Sequence, residues 1–345
     1  MCTRDSFDVS SPAACHQEKK GRFMNKLVWL GLVLLAGCQN QASKQGSPVK
    51  LGLVTWIGYG PFYVAQEKGY FQENNVSVDL ERIEGDVERR AAIAAGRLDG
   101  IALTLDAMIV LRGHGIPLKT VMAIDASDGG DGIVAVDAIK KVEDLKGKQI
   151  AFPTGLPSHF FLYSVLQEHG MKMSDITPVV MDADQAGSAF ASGKIEAAVT
   201  WEPWLSRASE VGRGHVLASS KQYPGRIEDV LFFREDVIEK RSAEISGIIK
   251  AWYRAVDFIA EHPDEAIPII AKALNLSDDK VKRLLGGLRY EGKAGNQAAF
   301  GTADKPGFLY PLYSRISDAW MAEHVIATRD RPEDGIDPNF VRRIQ

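Results

Sequence analysis

The chain has 345 residues, 45% of them hydrophobic, with 41 basic and 45 acidic side chains and a formal net charge of −4. That length is enough for one large or two medium domains, each with a real core. The mildly acidic balance argues against a nucleic-acid partner, and no apolar stretch reaches the roughly 20 residues that a membrane span needs.

In chain order the first signal is Lys26 followed by Leu27-Val-Trp-Leu-Gly-Leu-Val-Leu-Leu-Ala-Gly-Cys38. A basic start, a short apolar run and small residues at its end describe a secretory signal. Leu35-Ala-Gly-Cys38 resembles a bacterial lipobox. That resemblance implies lipid on the Cys38 thiol and cleavage just before it; an ordinary signal peptide and a buried helix end are the other readings. Met1 to Phe23 is polar and lies upstream, so Met24 is the expected start, with a long basic leader as the alternative. Residues 1–37 are therefore set aside as an upstream extension plus signal. Residues 38–48 form a polar tether. Of the three cysteines, Cys2, Cys15 and Cys38, only Cys38 would remain, and it would carry lipid. No disulfide or thiol chemistry is expected in the domain.

Structure begins at Val49–Val54, which reads as a strand. Gly58-Tyr-Gly-Pro61 reads as a turn opening a helix over Phe62–Lys68, closed by Gly69. Val76–Leu80 is a strand, Val87–Ala95 a helix, Asp99–Leu103 and Leu118–Ile124 strands. This alternation is the signature of a parallel sheet. The rhythm restarts after Ile133–Val136: a short helix over Val142–Leu145, a strand over Gln149–Phe152, a helix over Ser158–Glu168, a strand over Thr177–Met181, a helix over Asp184–Ser192 and a strand over Ala197–Thr200. Gly193-Lys-Ile-Glu-Ala-Ala-Val echoes Gly96-Arg-Leu-Asp-Gly-Ile-Ala, which suggests two lobes built alike. From Ser242 the pattern is helical: Ile245–Ala260, Pro263–Leu274 with Pro268 near its start or at a kink, Ser277–Leu285 and Leu309–Ala322.

Motifs for catalysis are missing. The sequence has no Walker-type phosphate loop, no Gly-x-Gly-x-x-Gly after a strand, no Gly-x-Ser-x-Gly, no His-Glu-x-x-His and no Cys-x-x-Cys. The histidines from His114 to His324 show no ligand-like spacing. No enzyme activity, metal or cofactor is expected.

Four clusters fit a binding cleft. Trp56-Ile-Gly-Tyr59-Gly60-Pro61 follows a strand and opens a helix. Its N–H groups suit an anion and its aromatics an apolar body; a tight turn with core aromatics is the other reading. Asp125-Ala-Ser-Asp128-Gly-Gly-Asp131 reads as a loop beyond a strand end, where open α/β sheets bind ligands. It is open between a solvated turn, an acid facing an amine, and Ca²⁺, although EF-hand spacing is absent. Thr200-Trp201-Glu202-Pro-Trp204 pairs indoles with a carboxylate, which suits a cationic ligand or simply lobe packing. Thr154-Gly-Leu-Pro-Ser158-His159 places Ser158 as a helix N-cap, with or without an anion to face.

These clusters, in this order, resemble ABC-transporter solute-binding proteins of the nitrate, sulfonate and taurine type, within the thiamine-pyrimidine-synthase-like superfamily. The residues that carry the resemblance are Trp56-Ile-Gly-Tyr-Gly-Pro-Phe-Tyr-Val-Ala-Gln-Glu-Lys-Gly-Tyr-Phe71, Ala94-Ala-Gly-Arg-Leu-Asp99, Val142-Glu-Asp-Leu-Lys-Gly-Lys-Gln-Ile-Ala151 and Phe190-Ala-Ser-Gly-Lys-Ile-Glu-Ala-Ala-Val-Thr-Trp-Glu-Pro203. The resemblance implies an α/β fold of the periplasmic-binding type II class, with two α/β lobes, a hinge and a central ligand cleft. One lobe would be 49–134 with 234–345 and the other 137–228, with crossovers near Val134–Val136 and Asp229–Arg234. Trp56, Tyr59, Gly60, Asp106, Asp128 and Asp131 would face Ser158, His159, Trp201 and Glu202 across the cleft. Sulfonate binders of this type are expected to use helix N-termini and few acids. The acids here point instead to an amino-bearing solute such as a taurine-like zwitterion, with a pyrimidine as the alternative. The pyrimidine synthase of this superfamily uses a cysteine-rich iron site that the domain lacks. The partners implied are an ABC permease and ATPase, or else a sensor. The chain is expected as a monomer on the periplasmic side, held to the membrane by lipid.

Overall fold

The computed structural model describes residues 46–344, so Cys38 and its signal run lie outside the described residues. The first stretch lays down β1 (Val49–Leu53), α1 (Gly60–Glu67), α2 (Tyr70–Glu73), β2 (Val78–Arg82), α3 (Asp86–Ala94), β3 (Gly100–Thr104), α4 (Leu105–Gly113) and β4 (Leu118–Ser127). The middle stretch gives β5 (Asp131–Val136), β6 (Gln149–Phe152), α5 (Pro157–Glu168), β7 (Thr177–Val180), α6 (Ala183–Ala191), β8 (Ala197–Trp201), α7 (Trp204–Ser209) and β9 (Gly214–Ser219). The last stretch runs through β10 (Glu228–Arg234), α8 (Glu235–Glu261), α9 (Pro263–Leu274), α10 (Asp278–Leu285), β11 (Leu288–Tyr290), α11 (Lys293–Phe300), α12 (Leu309–Ala322), α13 (Pro332–Gly335) and α14 (Asn339–Arg343).

These strands make two sheets, ordered β11-β4-β10-β3-β1-β2 and β7-β6-β8-β5-β9. The expectation of parallel pairing holds for β2, β1 and β3 and for β7, β6 and β8. It fails at the strands that follow each crossover. β10 runs antiparallel between β3 and β4, and β5 antiparallel between β8 and β9. Each lobe thus receives the incoming chain as a central strand of its sheet. The crossovers fall at residues 128–130 and 220–227. Both precede the apolar runs Val134–Val136 and Asp229–Arg234, because those runs are buried sheet-centre strands. The linking stretches are the polar Asp128-Gly-Gly130 and Ser220–Ile227.

Ser220 fastens the two crossovers together. Its hydroxyl shares a 2.8 Å hydrogen bond with that of Ser127 and accepts the Gly129 N–H at 2.7 Å. The amides of Asp128 and Gly130 both donate to the Gly287 carbonyl at 2.9 Å, pinning the first crossover to the turn before β11. Gly130 has no room for a side chain, since a Cβ there would stand 2.4 Å from the Trp56 ring.

The echoed turns are alike in backbone as well as sequence. Gly96 and Gly193 end α3 and α6 in the left-handed region, at φ +71° and +82°, which glycine adopts without steric cost. α4 has no counterpart in the sequence reading. Seven of its residues, Leu105 to Leu111, are buried, so it shows no polar face and no helical period. The fully buried Asn296 on α11 extends the sheet where β11 ends: its Oδ1 accepts the Ala123 N–H at 2.8 Å and its Nδ2 donates to the Ala123 carbonyl at 2.9 Å. A side-chain amide thereby satisfies an edge-strand residue that would otherwise be buried unpaired. The main core belongs to the first lobe, and it includes Leu156 and Phe160 from the second.

Candidate solute-binding cleft

The strand ends of the two lobes meet at a cavity lined by Val54, Trp56, Tyr59, Leu103, Thr104, Asp131, Pro157, Trp201, Ile227 and Asp229. Its volume is about 20 Å³, about one water molecule. The walls are therefore drawn close, leaving less space than a solute of several heavy atoms fills. Among the contacts that bridge the lobes are two polar ones. Trp201 Nε1–H donates to the Thr55 carbonyl at 3.2 Å, and Lys280 of α10 pairs with Glu210, just past α7, at 3.0 Å.

Two carboxyls interrupt a wall that is otherwise largely apolar and aromatic. Asp131 and Asp229 line the cavity, while Asp106, Asp125 and Glu228 stand behind it, all five at most 4% exposed. Trp56 Nε1–H is shared by the two oxygens of Asp125 at 3.2 and 3.1 Å, and Tyr59 Oη–H donates to Asp229 Oδ1 at 2.5 Å. No lysine or arginine lines the cavity among the described residues. The buried Arg89 is committed elsewhere, donating to the carbonyls of Ile83 and Glu84 and to Asp86. Without counter-charges, burial pushes Asp106 and Asp131 up to about 7. It drives Asp125, Asp229 and Glu228 well upward too, helped by neighbouring carboxylates: Asp229 beside Asp125, Asp131 beside Asp229, Glu291 beside Glu228. Like charges in so small a volume cannot all ionise in the absence of a cation.

Of the ten residues named from sequence, the structure brings Trp56, Tyr59, Asp131 and Trp201 to the cavity wall. The other six are not in its lining. Gly60 begins α1, and a Cβ there would meet Ile270 at 2.8 Å, so it serves packing. Asp128 is exposed on the first crossover. Asp106 is buried in the first turn of α4. Ser158 is buried, yet it does not cap its helix: Leu156 occupies the N-cap position and Pro157 the first turn. His159 Nδ1 accepts the Gly155 N–H at 3.2 Å, and burial lowers its pKa to about 4, leaving a neutral ring. Glu202 turns to its own helix, accepting the Ser206 N–H at 3.1 Å and its hydroxyl at 2.6 Å. The expected loop over Asp125–Asp131 is also shorter: Asp125 to Ser127 belong to β4. Asp229 and Thr104 were missed. An acidic pair, Glu228-Asp229, at the head of the apolar run Val230–Phe233 was the available signal. Among the described residues no group of histidine, cysteine, aspartate and glutamate could hold a metal ion.

Two α/β lobes joined by two crossovers around such a cleft define a solute-binding fold, and the comparisons agree. Residues 56–266 match the family model described as NMT1/THI5 like. A chain of Brucella abortus (strain 2308) that carries a binding-protein name is 27% identical over 233 residues, 66% of this chain and 72% of the relative. The taurine-binding periplasmic protein of Escherichia coli (strain K12) is 25% identical over 240 residues, 67% of this chain and 74% of the relative. The alkanesulfonate-binding protein SsuA from Xanthomonas axonopodis pv. citri, solved bound to MOPS, superposes with a TM-score of 0.72 at 18% identity, covering 85% of this chain and 98% of that one. The fold is the type II periplasmic-binding fold. The chain belongs to the NMT1/THI5-like family.

Proposed function

We propose that this chain is the solute receptor of an ABC importer. It captures a small amino-bearing solute between its lobes on the periplasmic side and delivers it to a membrane permease and its ATPase. The family and the binding-protein names of its relatives support the receptor role, and a role without turnover. The observation that carries the solute class is the set of five buried carboxyls around a cavity with no basic side chain in its wall. A cationic nitrogen supplies the missing counter-charge. Trp56, Tyr59 and Trp201 give its apolar body aromatic faces. Those three rings also favour a second reading, a protonatable aminopyrimidine.

Scanning fluorimetry against a panel of taurine, an aminopyrimidine, ethanesulfonate and nitrate tests the solute class. The amine-bearing members are expected to raise the unfolding temperature by several degrees at concentrations far above Kd. A large shift with nitrate and none with amines overturns it. The lipid on Cys38 is a separate part of the proposal. Cys38→Ala is expected to move the protein from the membrane fraction to the soluble fraction while the ligand-induced shift stays unchanged. Retention of the variant on membranes rules the anchor out.

A further inference from the structure

A cavity with two carboxyls and no basic side chain in its wall suits a cation, yet two helices begin at it. α4 of the first lobe has nine residues and α5 of the second has twelve, and neither start carries a side-chain cap. Thr104, which precedes α4, and Pro157, the first residue of α5, both line the cavity. A helix start presents N–H groups and the positive end of the dipole, which favours an anion. Three side chains at these starts, Thr104, Asp106 and Ser158, are at most 4% exposed. Each keeps a buried polar atom with no hydrogen-bond partner: Thr104 Oγ1, Asp106 Oδ2 and Ser158 Oγ. Such orphans are costly unless something else satisfies them. Trp320 couples the two starts, donating its Nε1–H to the Asp106 carbonyl at 3.1 Å while its ring lies 5.0 Å from that of His159, the neighbour of Ser158.

We propose that Asp106 is a built-in counter-anion: its carboxylate stands where the two helix starts would otherwise hold the charged group of a sulfonate or nitrate, and so turns the cleft from anions to solutes with a cationic nitrogen. Asp106 acts as a specificity residue, and the inference rests on the amino-bearing reading above. The orphaned oxygen of Asp106 and the hydroxyls of Thr104 and Ser158 are then the acceptors for the N–H groups of that nitrogen. With a small neutral residue at this position, the hydroxyls of Thr104 and Ser158 and the two helix starts would be free for an anion.

The test is calorimetric titration of the full chain, and of Asp106→Asn and Asp106→Ser, with ethanesulfonate and with an aminopyrimidine that bears no sulfonate. Asn keeps the volume and removes the charge, and Ser opens space as well, so one variant remains informative if the other folds poorly; a thermal melt reports the folding of each. Removing the carboxylate is expected to tighten ethanesulfonate binding by about tenfold or more, the scale set by relieving a like-charge contact at a helix start. The aminopyrimidine should weaken by a similar factor. A variant that binds ethanesulfonate no better than the parent chain, including one that does not bind it at all, overturns the proposal. Failure of the underlying reading looks different: no amine-bearing probe stabilises the parent chain, whatever Asp106 does to ethanesulfonate.

Discussion

Raising the pH from about 5 to about 8 should lower the unfolding temperature of the ligand-free protein, because its cleft carboxyls hold protons that the unfolded chain has released. Asp106 and Asp131 sit at about 7 in the folded state against an ordinary 3.8. A group whose folded pKa is raised contributes stability that is fully present below its unfolded pKa and is lost as pH climbs through the folded one. The window for these two is therefore about 4 to about 7, and the raised Asp125, Asp229 and Glu228 extend it upward. His159 opposes them. Its folded pKa is about 4 against 6.5, so it gains stability as pH rises between those values. At roughly 1.4 kcal/mol per unit of pKa and per group, one histidine offsets one aspartate and leaves the rest. A net loss of several kcal/mol is expected across the window, together with tighter binding of amine-bearing solutes as the carboxyls ionise. Scanning fluorimetry at constant ionic strength measures it. Asp106→Asn and Asp131→Asn combined should flatten the profile. An unfolding temperature that stays level or rises from about pH 5 to about pH 8 refutes this account of the cleft charges.

Trp320→Ala is expected to cost about 3–5 kcal/mol, the range for emptying a buried tryptophan site. Trp320 is completely buried in α12, and its ring stands 5.7 Å edge-on from Phe160 and 5.0 Å from His159 of the other lobe. It also fixes the start of α4 through the Asp106 carbonyl. The cavity left behind would therefore open between the lobes. Urea unfolding should report the loss of stability, and the shift produced by an amine-bearing solute should shrink along with it. Trp252→Ala is the comparison. Trp252 is also completely buried, but packs within the first lobe against Phe62 at 4.6 Å and donates to the Glu291 carbonyl at 3.2 Å. It should lose comparable stability and keep the ligand response. Equal loss of response in both variants would show that Trp320 has no special part in the cleft.

Much of the fold was legible because its elements carry their own punctuation. Pro263–Leu274 and Leu309–Ala322 are helices over those same residues. Ser277 caps α10 by accepting the Lys280 N–H at 3.3 Å, and Gly96 and Gly193 mark two helix ends. What was not legible depends on packing from both sides. α4 is buried on every face, so its apolar run has no helical period. β5 and β10 read as linkers because each is a short apolar stretch far in sequence from its sheet partners. The cleft was half legible for a related reason. Aromatic residues after a strand, Trp56 and Trp201, do reach the cavity, whereas acids were chosen by proximity to glycine and tryptophan. That rule selected the exposed Asp128 and the self-capping Glu202. It passed over Asp125 and Asp229, which lie within strands and become a pair only when β4 and β10 align, where they face each other in register.

The Ser220 hydroxyl that joins the two crossovers restricts how the lobes can move. Two independent linkers would let one lobe tilt, twist or slide against the other. Linkers stitched to each other at their roots, with the first pinned to Gly287, behave as one axle. Separating the lobes then breaks the contacts that cross between them, Trp201 to the Thr55 carbonyl and Lys280 to Glu210.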